Sequence, residues 1–300
     1  ECILLVFLLR LLHTFTHAWP SVDKWLAISV LCGFPAVLTN FLLGALSLLL
    51  LVCLWKYYLA LRDGKDNLSG LWLAVGFFKP QLILLPGILL VAARQWKAMI
   101  TFLIAITILF ITSSIGMGWQ IWIEFLKMLR KMNDLYNSMG MEPASMYNLK
   151  GFFTRLLGDN QADLINMLSY AGLISAGIFM IYIWHGKWST QAPVFDLRMA
   201  LSLMMGLVFN LYLFPQDSLL LVLPGLLFYN YLRNRDLPRK HYVVFILLFP
   251  ALFLISQFSL IPETVIKIPF LGMVVLTVWM GFALYKENKY VDKFTESNIF

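Results

Sequence analysis

The sequence predicts an all-α, polytopic helical membrane protein, and three observations carry that expectation. Of its 300 residues, 60% are hydrophobic and only 13% are charged, against ~25% charged in soluble domains. Apolar runs of about 20 residues recur along the chain, the length a helix needs to cross ~30 Å of hydrocarbon. The net charge of +7 lies in short loops between those runs. That is membrane topology under the positive-inside rule and excludes nucleic acid as the partner.

Other classes fall away quickly. Cys2, Cys32 and Cys53 all lie in apolar runs, without CxxC or metal-ligand spacing, and read as packing residues. The chain has no P-loop, dinucleotide-binding glycine pattern, HExxH or nucleophile elbow. Neither a metal nor a cofactor is expected. The chain opens on Glu1 inside a hydrophobic segment, without a signal-peptide layout. We therefore expect further protein upstream.

In chain order, spans are expected at about 2–16, 25–39 with Phe34-Pro35 inside, and 41–61. The next stretch, from Gly70 to Pro86, holds Lys79 amid apolar residues and is followed directly by Pro80. An intramembrane lysine costs at least ~2.5–3.5 kcal/mol and is a functional candidate by default. Proline removes a backbone donor and pushes the preceding residue out of helical geometry. Both flanks are basic: Arg62 and Lys65 before, Arg94 and Lys97 after. One full span would put them on opposite sides of the membrane. Two half-helices, about 69–78 and 80–93, keep both inside and lift Lys79 to the tip of a hairpin. Ten residues rise about 15 Å, half of the hydrocarbon core. Such broken backbone is tolerated only where it is buried in protein or lines a cavity. The alternative is an ordinary kinked span whose lysine snorkels.

A span at about 98–117 follows, then the long polar interruption 118–160. In its first part Trp122, Phe125, Leu126 and Leu129 share one helical face, opposite Glu124, Lys127 and Lys131. That pattern predicts a helix lying in the interface among membrane lipids. Its second part runs through Asn148, Lys150 and Arg155. Further spans are expected at about 161–184, 197–213, 217–232, 241–258 and 267–286. With the Lys79 unit as a hairpin, the short basic loops fall on one side and 118–160 on the other. The expected organisation is a membrane domain over 1–286, with 118–160 as its external loop, and a cytoplasmic tail over 287–300. The turn Pro215-Gln216-Asp217-Ser218 falls on the external side. Asp217 reads either as a helix cap or, with Gln216, as facing the same cavity as Lys79. His185 and His241, at the ends of spans, read as interface residues.

At this point the sequence resembles a known family. Phe34-Pro35, Leu43-Gly44-Ala-Leu-Ser47, Ser69-Gly70-Leu-Trp-Leu-Ala, Phe78-Lys79-Pro80-Gln81 and Arg94-Gln-Trp-Lys97 follow in the order of glycosyltransferase family 87. Tyr147-Asn148-Leu-Lys150-Gly151 and Pro215-Gln-Asp217-Ser, leading to Pro224, are similar to two later blocks. The chain departs where Ala45 follows Gly44 and where Gln216 stands in place of a common histidine. The resemblance implies a GT-C-like fold in a prokaryotic inner or plasma membrane, with an extracytoplasmic active site. It implies transfer of a hexose, usually mannose, from a polyprenyl-phosphate donor to a lipid or glycan acceptor. The general-base carboxylate is then expected upstream of Glu1. Lys79 is the candidate for donor phosphate; Gln81, Asn148, Lys150, Arg155, Gln216 and Asp217 are candidates for substrate. The competing expectations are a transporter or flippase of lipid-linked glycans, which also uses broken helices, and a polymerase or ligase of envelope glycans.

Overall fold

The computed structural model describes residues 1–130, 143–185, 188–190, 193–235, 241, 243–249 and 268–297. Among them the regular structure is all helical. Ser21–Leu43, Trp96–Met117, Ala162–Trp184 and Ile268–Lys289 are each long and apolar enough to cross a membrane. This is an all-α polytopic membrane protein.

Helix α1 (Cys2–Phe15) is followed by α2 (Ser21–Gly33) and α3 (Pro35–Leu43). The last two form one span with a joint at Phe34, extended at φ −68° and ψ 119°. Phe34 precedes a proline, which disfavours helical geometry there. Gly44 ends α3 in the left-handed region, at φ 61°, where a side chain is strained. This tight reversal brings the start of α4 (Ser47–Arg62) back beside Asn40: Ser47 N donates to Asn40 Oδ1 at 3.1 Å.

The lysine hairpin forms. Helix α5 (Asp66–Val75) passes through a 3-10 turn, Gly76–Phe78, to Lys79 at φ −120°, and α6 (Pro80–Ala92) leads away. The expected halves began at 69 and ended at 93; the first starts three residues earlier. The first limb packs along α4, and the second touches it. Gly76 lies beside Leu50 and Ile83, and Tyr57 of α4 donates to the Pro86 carbonyl at 3.2 Å. Helix α7 (Trp96–Met117) then crosses the base of the hairpin. A Cβ on Gly70 would lie 2.2 Å from the Ala98 carbonyl oxygen, so only glycine permits this approach. Thr101 Oγ1 donates to Asn67 Oδ1 at 3.2 Å in the same crossing. The two ends of the hairpin therefore meet at α7, and Lys79 stands at the other end, level with Ser47.

Helix α8 (Gln120–Arg130) is amphipathic and folds back on α7. Trp122 packs on Phe110 with ring centroids 4.7 Å apart and donates from Nε1 to Ser114 Oγ at 2.9 Å. Leu126 is exposed, and Lys127 pairs with Glu124 at 2.6 Å in the open. Lys131 lies outside the described residues, as does most of the span expected at 241–258. The rest of the loop carries α9 (Leu149–Leu157).

Helices α10 (Ala162–Trp184), α11 (Pro193–Val208), α12 (Val222–Asn234) and α13 (Ile268–Ser297) complete the bundle, and residues 243–249 are also helical. Two expectations change here. The span expected at 197–213 stops at Val208, and the one expected from 217 is a 3-10 turn, Pro215–Leu221, before α12. Pro215 and the polar residues Asn210, Gln216 and Asp217 take the backbone out of the helical ladder here. In addition, α13 runs without a break past Lys286, and Glu287 accepts from Tyr231 Oη at 2.9 Å and pairs with Arg235.

Candidate functional site

The site assembles around the irregular stretch 209–217, whose side chains and carbonyls reach in five directions. Asn210 Nδ2 donates to the Gln81 carbonyl at 2.6 Å, and the Asn210 carbonyl accepts from Asn148 Nδ2 at 2.8 Å. The Leu213 carbonyl accepts from Tyr147 N at 2.9 Å. The Gln216 carbonyl accepts from Asn40 Nδ2 at 2.9 Å. Asp217 Oδ1 accepts from Ser47 Oγ at 2.6 Å and from Lys79 Nζ at 2.5 Å. Irregular backbone within a bundle must find partners outside its own ladder. Here Lys79, Gln81 and Asn148, all flagged in the sequence, are among those partners.

Lys79 and Asp217 are thus in contact, and Asp217 is no helix cap. Its side chain makes no capping bond and turns to the ammonium instead. Lys79 Nζ also donates to Ser47 Oγ at 2.9 Å, closing a three-membered cluster. The hairpin tip therefore holds a paired lysine. Burial of a charge is costly unless it is paired and hydrogen-bonded, and Asp217 meets that demand. The pair is not sealed, however: the lysine side chain remains 19% exposed and that of Asp217 5%. An ammonium has three donors, and two are engaged, so one N–H is left for a ligand. Asp217 Oδ2 takes no hydrogen bond from the described residues.

The remaining candidates divide. Gln81 and Gln216 are half-buried, and their carbonyls are the groups engaged. Asn148 is fully buried and uses both ends of its amide: it caps α9 by accepting from Gly151 N at 2.8 Å and donates to the Asn210 carbonyl. It positions the loop against the hub rather than facing a ligand. Lys150 is buried with its ammonium over the Tyr212 ring, 4.7 Å from the centroid. Burial pushes its pKa below the ordinary lysine value. Tyr147, next to the cap, has its phenol pushed up by burial, against a smaller opposing effect of Arg155. Arg155 donates from Nε to the Ala144 carbonyl at 2.6 Å, bracing the loop.

Sequence reasoning missed Asn40, Ser47 and Asn210 as site residues. All three are buried. The signal was a lone polar side chain inside an apolar run, which in hydrocarbon needs a partner; which partner is not written locally. Beside the apex, an open apolar groove of ≈ 450 Å³ runs between α6 and α7, bordered by Phe77, Pro80, Gln81, Leu84, Gly87 and Phe102. Among the described residues no group of three histidine, cysteine or acidic side chains is placed to hold a metal ion.

Comparison with known proteins adds one finding. The model of glycosyltransferase family 87 matches residues 2–215, which include Lys79, Gln81, Asn148, Lys150 and Arg155 and end two residues before Asp217. No curated protein and no solved structure matches the chain. With well over half of its length matched by that family's model, the chain belongs to glycosyltransferase family 87.

Proposed function

We propose that this membrane glycosyltransferase moves a hexose, in the first instance mannose, from a polyprenyl-phosphate donor to a lipid or glycan acceptor. In this reading the fold is of the GT-C type, and the chemistry takes place at the Lys79 end of the bundle, on the extracytoplasmic face of a prokaryotic inner or plasma membrane. The observation that carries the proposal is the Lys79–Asp217–Ser47 cluster at the hairpin apex, which is partly open.

The geometry supports this reading of the chemistry. When the glycosidic C–O bond breaks, the electron pair leaves with the phosphate oxygen, and negative charge grows there. A fixed cation in a water-poor setting stabilises such developing charge strongly. Lys79 is held by two partners and keeps a third N–H for a phosphoryl oxygen. Asp217 fixes the ammonium, and its uncommitted Oδ2, with Gln216, is disposed to accept from sugar hydroxyls. Asn148, Lys150 and Arg155 hold the external loop over this end. The acceptor hydroxyl attacks the anomeric carbon and gives its proton to a carboxylate acting as general base.

The test uses membranes carrying the full-length protein and polyprenyl-phosphate mannose labelled in the lipid. Release of labelled polyprenyl phosphate that is lost in Lys79→Met, with insertion retained, supports the proposal. Release that Lys79→Met leaves unchanged removes the phosphate role. Movement of the intact donor across the membrane without cleavage replaces glycosyl transfer by transport.

A further inference from the structure

The end of the bundle opposite Lys79 holds a buried cation that the transfer chemistry does not use. Arg198 lies little more than one turn into α11 and is 8% exposed. Its Nη2 makes one long hydrogen bond, 3.4 Å, to Asn288 Oδ1 of α13. Its Nε and Nη1 are buried and have no partner among the described residues. A guanidinium carries five N–H donors and stays charged under all ordinary conditions. With only one donor used, one of its two-pronged edges remains complete. A buried charge in that condition is expensive unless an acceptor arrives from outside the chain.

The acids nearby do not supply it. Asp196, two residues away on α11, accepts from Tyr58 Oη at 2.6 Å on one oxygen and from Asn230 Nδ2 at 2.7 Å on the other. Glu287, next to Asn288, is taken by Tyr231 and Arg235. Exposed Lys286 and Lys289 flank Asn288 on α13, so this end carries an excess of positive charge. We propose that Arg198 is the recognition group of an anion site at the junction of α11 and α13, taking a phosphoryl oxyanion through its planar fork. Bidentate pairing with phosphate is the geometry a guanidinium suits best. The end of a transmembrane bundle meets two sources of that group: the headgroup of an anionic phospholipid in the same leaflet, and free phosphate in the adjoining solution. The site stands apart from glycosyl transfer at Lys79.

The experiment follows thermal unfolding of the purified full chain in detergent during titration with phosphatidylglycerol, diacylglycerol or inorganic phosphate. Phosphatidylglycerol, inorganic phosphate or both raise Tm in the unmodified protein, and diacylglycerol does not. In Arg198→Gln the same shift needs at least tenfold more ligand. Protection by phosphatidylglycerol alone identifies a headgroup; protection by inorganic phosphate identifies a free anion. Equal response of Arg198→Gln and the unmodified protein overturns the proposal, as does the absence of any shift. Should Arg198→Gln fail to accumulate, Arg198→Lys keeps the charge and loses the fork. At least threefold weaker protection in that variant supports the site, and unchanged protection overturns it.

Discussion

Two buried aspartates, one at each end of the bundle, show how the same residue type serves different ends. Asp217 pairs with a cation and a hydroxyl through a single oxygen, and the cation is partly open. Asp196 has a donor on each oxygen. Tyr58 and Asn230 occupy both its oxygens, Arg62 donates to Tyr58 Oη at 2.9 Å, and Trp19 Nε1 donates to Asn230 Oδ1 at 3.0 Å. That network joins the α1–α2 turn, α4, α11 and α12 into one closed polar pin. A fully satisfied buried network rigidifies and specifies packing, whereas a charge pair with donors and acceptors to spare can exchange partners with a ligand. Under the proposed function the apex is the end that reacts, and the Asp196 network holds the fold.

Lys79→Met tests that contrast most severely. Removing one fixed cation from a site of developing charge costs about 10²–10³ in turnover, measured as polyprenyl phosphate released per inserted molecule. It also strands Asp217, which costs about 3–5 kcal/mol when a buried pair loses one partner. The double variant Lys79→Met/Asp217→Leu recovers much of that stability by thermal unfolding but none of the turnover. Recovery of both would make the pair structural and erase the contrast.

Gly70→Ala comes next. A methyl group forced against the Ala98 carbonyl costs about 1–3 kcal/mol as overpacking and shifts the hairpin on α7, so turnover falls along with stability. Unchanged turnover in the folded fraction would detach the depth of the hairpin from the chemistry. At the opposite end, Tyr58→Phe removes one donor from Asp196 and costs about 1–3 kcal/mol, read as a lower Tm, with turnover per folded molecule unchanged. A specific loss of turnover there would make the pin part of the active machinery.

Two smaller effects refine the role of the loop. Asn148→Ala removes the cap of α9 at a cost of about 1 kcal/mol, visible as faster proteolysis within 118–160. Lys150 has its folded-state pKa pushed down by burial, so holding its proton opposes folding at neutral pH. That opposition fades as pH rises through the folded-state pKa towards the unfolded value. The Tm of the unmodified protein therefore gains on that of Lys150→Met as pH rises from 7 into the alkaline range.

Most of the helical framework was legible because apolar run length and the Pro and Gly breaks act locally. Lys79-Pro80 announced the hairpin in that way. The misjudged part was 209–221, where apolar residues continue but the backbone leaves the helix. Composition reports what a segment tolerates, not whether distant partners release it from the ladder. For the same reason Asp217 read equally as a cap or as a site residue, Ser47 read only as a motif letter, and Asn40 was not singled out.

The sequence by itself determined a bundle of membrane helices, a lysine lifted on two short helices, and polar residues that hydrocarbon would not tolerate alone. Only the tertiary structure decided their partners: Lys79 with Asp217 and Ser47, Asn148 with the carbonyl of Asn210, and Arg198 with almost nothing. Run length and proline geometry act within a few residues, but pairing a buried charge joins positions 138 apart, as Lys79 and Asp217 are. Such a choice is made by which helices pack against each other.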